Sequence, residues 1–303
     1  MKVTGKILRS TSEGYQIFVE GRGIVTANRR KGKEPLHGIP LIGDIAILDD
    51  DGLVKDIEPR HGLLTRPRVA NVDQAGVLVS ALNPPFSSFL LDKYLTGCHH
   101  MSVPAFIVIT KWDLLDGEGV KRLTMRLEWY RKLGYKVFEA GLDPNWKYQP
   151  SRDMFRGKTT ILMGQTGVGK STLANRLEPE FKQKIGTVDE GMGRGRHQTK
   201  EVVLYPFASG FLGDTPGFSD FELDIPKPDL AVEFPGFDGF AYSCKFKGCL
   251  HNGIKGCAVA KAVKDGKLSQ DSYDNYLRLL AMSDDKKGYE KKTTHSHIQK
   301  EEK

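Results

Sequence analysis

Cysteine is scarce, with four among 303 residues, too few for a disulfide scaffold. Long apolar runs are missing too. Stretches such as Ala105–Ile109 fall far short of the ~20 residues a membrane span needs. Met1-Lys2-Val3-Thr4-Gly5-Lys6 has no apolar core behind its charge, so secretion is not expected. Acid is short relative to base: 38 Asp and Glu stand against 45 Lys and Arg, a net charge of +7. That balance favours polyanionic partners without proving them. What is present is globular, since 39% hydrophobic and 27% charged residues exclude disorder as the dominant state. At roughly 100–200 residues per domain, the length suggests two to three domains. The expectation is a cytoplasmic chain with no membrane role.

The basic residues are clustered. Arg22, Arg29, Arg30, Lys31 and Lys33 form one group, Lys182, Lys184, Arg194, Arg196 and Lys200 a second, and Lys286, Lys287, Lys291 and Lys292 a third. One such run is usually a solvated face; three in separate regions favour nucleic acid. Up to about residue 64, short apolar segments (6–8, 15–19, 23–26 and 44–48) alternate with Gly, Ser and Pro. This predicts a small β-barrel of the OB type, either binding nucleic acid through its basic 22–33 loop or serving as a structural cap. From about residue 65 strands and helices alternate. Strands are expected at 74–81, 105–110, 135–139, 159–163, 201–205 and 211–213, with helices through Leu91, Leu95 and Cys98 and over 117–133. Such alternation means a mostly parallel sheet covered on both faces, with ligands at the carboxyl ends of its strands. Cys98 lies on an apolar stripe and reads as a core residue.

Gly164-Gln165-Thr166-Gly167-Val168-Gly169-Lys170-Ser171 fits G-x-x-x-x-G-K-[ST] between an expected strand and an expected helix, the context that a phosphate loop requires. Its glycines let backbone N–H groups turn inward around phosphates, and the helix start adds partial positive charge. Lys170 would reach the β- and γ-phosphates, the Ser171 hydroxyl would meet Mg²⁺, and Thr172 adds a further nucleotide contact. Asp214-Thr215-Pro216-Gly217 follows an apolar strand. There Asp214 could hold Mg²⁺ through water, and the Gly217 N–H could meet a γ-phosphate. Between these motifs lies the glycine-punctuated segment from Gly191 to Lys200, in which Thr199 could give Mg²⁺ a second hydroxyl.

Thr110-Lys111-Trp112-Asp113 ends a strand upstream and looks like a guanine-reading N/T-K-x-D element. The Asp113 carboxylate can accept from guanine N1–H and the exocyclic amine, whereas adenine would strand it against a lone pair. The Lys111 stem would pack across the base. The order is unusual, because the base reader precedes the phosphate loop. A sheet gathers strand ends regardless of chain order, so such a site can still close.

Cys244-x4-Cys249-x-His251-x5-Cys257 supplies three thiolates and one imidazole, the stoichiometry of a closed tetrahedral Zn²⁺ site. A disulfide is the weaker alternative in a reducing compartment. The site would fix a small C-terminal domain, with 258–263 as its first helix.

Taken together, these residues resemble the RsgA family (also called YjeQ or YloQ), circularly permuted GTPases of small ribosomal subunit biogenesis. The resemblance runs through Asn71-Val72-Asp73-Gln74, Gly167–Ser171, Gly193-Arg194-Gly195-Arg196-His197, Asp214–Phe218 and the Cys/His cluster. It implies an α/β chain in three parts: an N-terminal OB-type RNA-binding β-barrel (1–64), a circularly permuted P-loop GTPase domain (65–221), and a small α-helical zinc-binding domain with a polar tail (222–303). It further implies GTP hydrolysis stimulated by the small (30S) subunit during late maturation. The expected partners are GTP, GDP, the subunit and its rRNA, with one structural Zn²⁺, Mg²⁺ alongside GTP, and a monomeric state.

This chain departs from the family pattern in places. Thr110 stands where the family usually has Asn, and Gln198 replaces a common Thr, leaving Thr199 as the Mg²⁺ candidate. Glu139-Ala140-Gly141 stand where a Ser-rich base-contact loop is usual, and no contact is assigned to them. Phe218 follows Gly217, where Ras-like enzymes carry a water-orienting Gln. His197 is therefore the catalytic candidate beside Thr199, with rRNA binding next to Arg194 and Arg196 as its rival role. Two other readings are an rRNA-binding assembly scaffold in which nucleotide is mainly structural, and an ATP-using phosphotransferase.

Overall fold

The computed structural model describes residues 3–29, 38–65, 67–141, 149–178, 202–214 and 223–283. His197, Thr199, Gly217, the Asp214 side chain and most of the three basic clusters lie outside this set. The chain divides into two compact units, one of residues 1–87 and 101–221, the other of residues 88–100 and 222–303.

The first unit begins with five strands: β1 (Val3–Thr11), β2 (Gly14–Val19), β3 (Gly23–Ala27), β4 (Ile45–Leu48) and β5 (Val54–Ile57). They pair antiparallel in the order β3-β2-β1-β4-β5, an OB-like sheet as the sequence pattern predicts. Ile7, Ile17, Val19, Ala27, Ala46, Leu48 and Val54 form its core. Buried Asp44 receives both Nε and a terminal nitrogen of Arg60, at 2.8 and 2.7 Å. A hairpin of β6 (Leu63–Thr65) and β7 (Arg68–Ala70) leads into the second sheet.

That sheet comprises β8 (Gln74–Ser80), β9 (Ala105–Thr110), β10 (Val137–Glu139), β11 (Thr159–Met163), β12 (Val203–Phe207) and β13 (Gly210–Asp214), ordered β10-β9-β8-β11-β13-β12. All neighbours run parallel except β12, which pairs antiparallel with β13 at the edge. Every residue of β8 and β11 is buried, as expected of strands covered on both faces. Helix α2 (Gly117–Lys132) is capped by Asp116, which accepts from the Gly119 N–H at 2.7 Å, and it buries Leu123, Leu127 and Tyr130. Helix α3 (Lys170–Leu177) follows β11 directly.

The two sheets are fastened by polar and aromatic contacts. Lys6 Nζ donates to Thr159 Oγ1 at 2.7 Å and lies 5.4 Å from the Phe211 ring centre. Phe18 meets the same ring edge-on. Within the Asn71–Gln74 segment, two side chains help fasten the second sheet. Asp73 accepts from the Thr159 N–H, and the Gln74 amide donates to Met154 O and Thr160 Oγ1.

The second unit holds α1 (Ser88–His100) and the helices α4 (Lys227–Glu233), α5 (Asp238–Ala241), α6 (Ala258–Lys264) and α7 (Gln270–Met282). Helix α1 packs on α4 and α7, although its sequence sits between two strands of the parallel sheet. Cys98 is buried on it, as its apolar stripe predicts. The expectation that 258–263 opens the C-terminal helices is corrected, because α4 and α5 precede it. Both are short and phenylalanine-flanked, and they bury Leu230, Ala231 and Ala241 while carrying little helical periodicity in sequence.

Candidate nucleotide site and metal centre

Parallel strands end together, so the loops that carry the motifs meet at one sheet edge. Ser80 is in register with Thr110, Val77 with Met163, Ile109 with Glu139 and Leu162 with Asp214. The Thr110–Asp113 turn is thereby brought beside the Gly164–Ser171 loop, despite the unusual chain order.

The phosphate loop leaves β11 at Gly164. There φ is +150° and an added Cβ would lie 2.4 Å from the Leu78 carbonyl oxygen, so only glycine fits. It ends at Gly169, whose φ of +101° caps α3. Val168 is buried and pinned in the core with Leu78, Leu162 and Leu173, which fixes the loop from below. Thr166, Gly167, Ser171 and Thr172 face solvent and Gln165 is half-exposed. Lys170 is buried, and its Nζ donates to the carbonyls of Gly164 and Gln165 at 2.8 and 3.0 Å. Its ammonium therefore spans the concavity where N–H groups at the helix start would meet an anion.

Thr110 is buried at the end of β9, and its hydroxyl donates to Val168 O at 2.5 Å. Lys111 adopts φ +57°, and its Nζ donates to the Asn83 carbonyl. Trp112 is buried and starts a single 3-10 turn, Trp112–Leu114, which presents half-exposed Asp113. The unassigned 140–141 segment is tied to this turn. Trp112 N–H donates to Ala140 O at 3.2 Å, Ala140 N–H to Ile109 O at 2.7 Å, and the Arg176 guanidinium to Gly141 O. Arg176 had no motif to mark it, and only the return of α3 past this edge gives it a role.

The Cys244, Cys249, His251 and Cys257 ligand atoms lie within 4.8 Å of one another. Cys244 Sγ is 3.9 Å from Cys257 Sγ, and His251 Nδ1 is 3.4 and 3.5 Å from the same two sulfurs. Tetrahedral thiolate coordination with bonds of about 2.3 Å has sulfur–sulfur edges of about 3.8 Å, so the spacing fits a metal ion. His251 Nε2 sits 3.0 Å from Ala231 O. That carbonyl must receive a proton, which leaves the Nδ1 lone pair for a metal. Burial holds the imidazole below its ordinary value, against the pull of the Ala231 carbonyl, so it is neutral at pH 7. Burial pushes the Cys257 thiol up to about 11, although the Ala260 N–H bonds it. Burial would raise Cys244 too, but N–H groups of Ala258 and Val259 and the neighbouring thiols bring it below its ordinary value. The cluster rests on Phe234, Phe237 and Tyr276. Tyr273 and Tyr276 hydroxyls donate to the His251 and Leu250 carbonyls at 2.5 and 2.6 Å.

A phosphate loop, a base-reading turn and a rearranged strand order on a parallel sheet define a circularly permuted P-loop GTPase. The model of the RsgA GTPase family matches residues 57–224. A small ribosomal subunit biogenesis GTPase RsgA from Geobacillus kaustophilus is 36% identical over 291 residues, covering 93% of this chain and 98% of that protein. The crystal structure of YloQ, a circularly permuted GTPase, matches at TM-score 0.76 and 33% identity over 93% of this chain and 95% of that one. YjeQ from Thermotoga maritima matches at TM-score 0.79 and 26% identity over 93% and 98%. The chain belongs to the RsgA GTPase family; it is a GTP hydrolase of ribosome biogenesis.

Proposed function

We propose that the chain binds GTP across the edge formed by Thr110–Asp113 and Gly164–Thr172, and hydrolyses its β–γ anhydride when bound to the small ribosomal subunit. The observation that supports this is the Thr110–Val168 hydrogen bond, which ties the Thr110–Asp113 turn to the Gly164–Ser171 loop. In this reading Asp113 accepts from the guanine N1–H and amine, and the Lys111 stem lies along the base. The backbone N–H groups of 165–169 wrap the phosphates, and Lys170 leaves its two loop carbonyls for the β- and γ-oxygens. Ser171, Thr199 and Asp214 would hold Mg²⁺, which when bound neutralises charge developing on the phosphates. The Gly217 N–H meets the γ-phosphate, and His197 orients the attacking water where Phe218 cannot.

The Cys244, Cys249, His251 and Cys257 set is read as one structural Zn²⁺ site, since four protein ligands leave no open position for chemistry. The three-part division at 64 and 221, an RNA-binding role for the N-terminal barrel, a monomeric state and work in the cytoplasm belong to the same reading. No helix among the described residues is long and apolar enough to cross a membrane.

Phosphate release from GTP and from ATP, with and without purified small subunits, tests it. Unstimulated turnover of about 10⁻⁴–10⁻² s⁻¹ that rises steeply with subunits, for GTP only, is the expected result. Flat GTP turnover favours the scaffold reading, and ATP preference breaks the Asp113 argument. A His197→Ala variant that keeps full stimulated turnover removes the water-orienting role.

A further inference from the structure

We propose that Thr110 is a positioning residue for the phosphate loop and leaves the N7 atom of guanine unread; this rests on the nucleotide site proposed above. A threonine hydroxyl has one proton. Here it is committed to Val168 O at 2.5 Å, and a second nearby group, Val79 O at 3.4 Å, is also an acceptor. What the oxygen has left is lone pairs. Guanine's N7–O6 edge consists of two acceptors, so no hydrogen bond can form between that edge and Thr110 as it stands. Turning the hydroxyl toward N7 would strand the Val168 carbonyl, which is part of a buried contact with Thr110 only 6% exposed.

An asparagine at this position, usual in the resemblance noted above, has two N–H donors and could serve the carbonyl and the base together. This chain therefore separates two tasks. Thr110 holds the loop that grips phosphate, and guanine selection falls to Asp113 on the opposite edge of the base.

Calorimetric titration of the full chain with GTP and with 7-deaza-GTP, in which C–H replaces N7, tests the proposal. The two dissociation constants are expected to agree within about twofold; a preference for GTP above about fivefold overturns it. Thr110→Asn adds the missing donor and should open a preference for GTP of about three- to tenfold, the worth of one hydrogen bond. No preference in that variant overturns the reading that a missing donor at residue 110 leaves N7 unread. Thr110→Val should weaken both nucleotides by about three- to tenfold with their ratio still near one, and Thr110→Ser should restore them. Unchanged affinity in Thr110→Val overturns the positioning role. If wild type binds neither nucleotide, the site itself fails; if it binds GTP but prefers it over the deaza analogue, only this inference does. Should Thr110→Asn not fold, the wild-type ratio decides alone.

Discussion

Asn275 on α7 donates its amide to Asp92 on α1 at 2.7 Å, across 183 residues of sequence. The same amide lies 3.1 Å from Ser88 Oγ, while Arg278 stacks 3.9 Å over the Phe89 ring and His100 pairs with Glu233. Asp92 is 1% exposed, so water cannot replace the hydrogen bond that Asn275 gives it. Asn275→Ala should destabilise the α1–α7 pairing by about 2 kcal/mol. Native-state hydrogen exchange checks this: α1 amides should lose protection by about thirtyfold while β1–β5 stay unchanged.

Guanine selection by Asp113 gives a second expectation. Replacing its carboxylate with a carboxamide offers a donor where guanine presents its amine, and xanthine carries a carbonyl at that place instead. Asp113→Asn should weaken GTP by about a hundredfold and favour XTP over GTP. Competition binding with both triphosphates checks this; retained GTP preference would show that the base is read elsewhere.

Removing metal should act on one unit only. Chelation is expected to unfold the segment from Cys244 to Cys257 and release its thiols, since such binding energy is folding energy. Burial pushes the Cys98 thiol up to about 12, so it should resist alkylation until α1 itself unfolds. Mass spectrometry of alkylated protein should show none, then three, then four modified cysteines as chelator and denaturant are added in turn. Cys98 reacting before the other three would contradict the burial.

Lys6 predicts a pH dependence. Burial holds its ammonium below the ordinary 10.5, against the opposing attraction of Asp73 and Asp44. In the window below 10.5 the unfolded chain then binds more protons than the folded one, so stability rises with pH there. The Lys6 contribution is fully present above 10.5 and lost as pH falls through its lower folded value. The stability difference between wild type and Lys6→Met should therefore shift in favour of wild type between pH 7 and 10. Urea midpoints for both proteins across that range check the sign; a shift the other way would mean that the charge is stabilised where it lies.

Local signals were legible and distant ones were not. The phosphate loop spells its own strand, turn and helix within a few residues, so β11 matches its expected span and a helix follows the loop as expected. The Cys/His spacing is equally local, and its four ligand atoms converge. By contrast, Leu91, Leu95 and Cys98 announce an apolar face without naming the surface it meets, and the helix that carries them joins the C-terminal unit. The destination of the Thr110 hydroxyl was hidden for a similar reason. Val168 lies 58 residues away, and only the sheet register brings the two together.

The chain passes between its two units three times, at 87–88, 100–101 and 221–222. The C-terminal unit is thus less an appendage than a graft, rooted in the middle of the GTPase sequence through α1. A protein cut at residue 221 would keep α1 but lose α4 and α7, the helices it packs on, baring apolar surface that the intact chain hides. Poor solubility or lost turnover in such a truncation would report that bared helix and the lost Cys/His cluster together. Separating the two calls for substitutions that empty the cluster while leaving α7 in place.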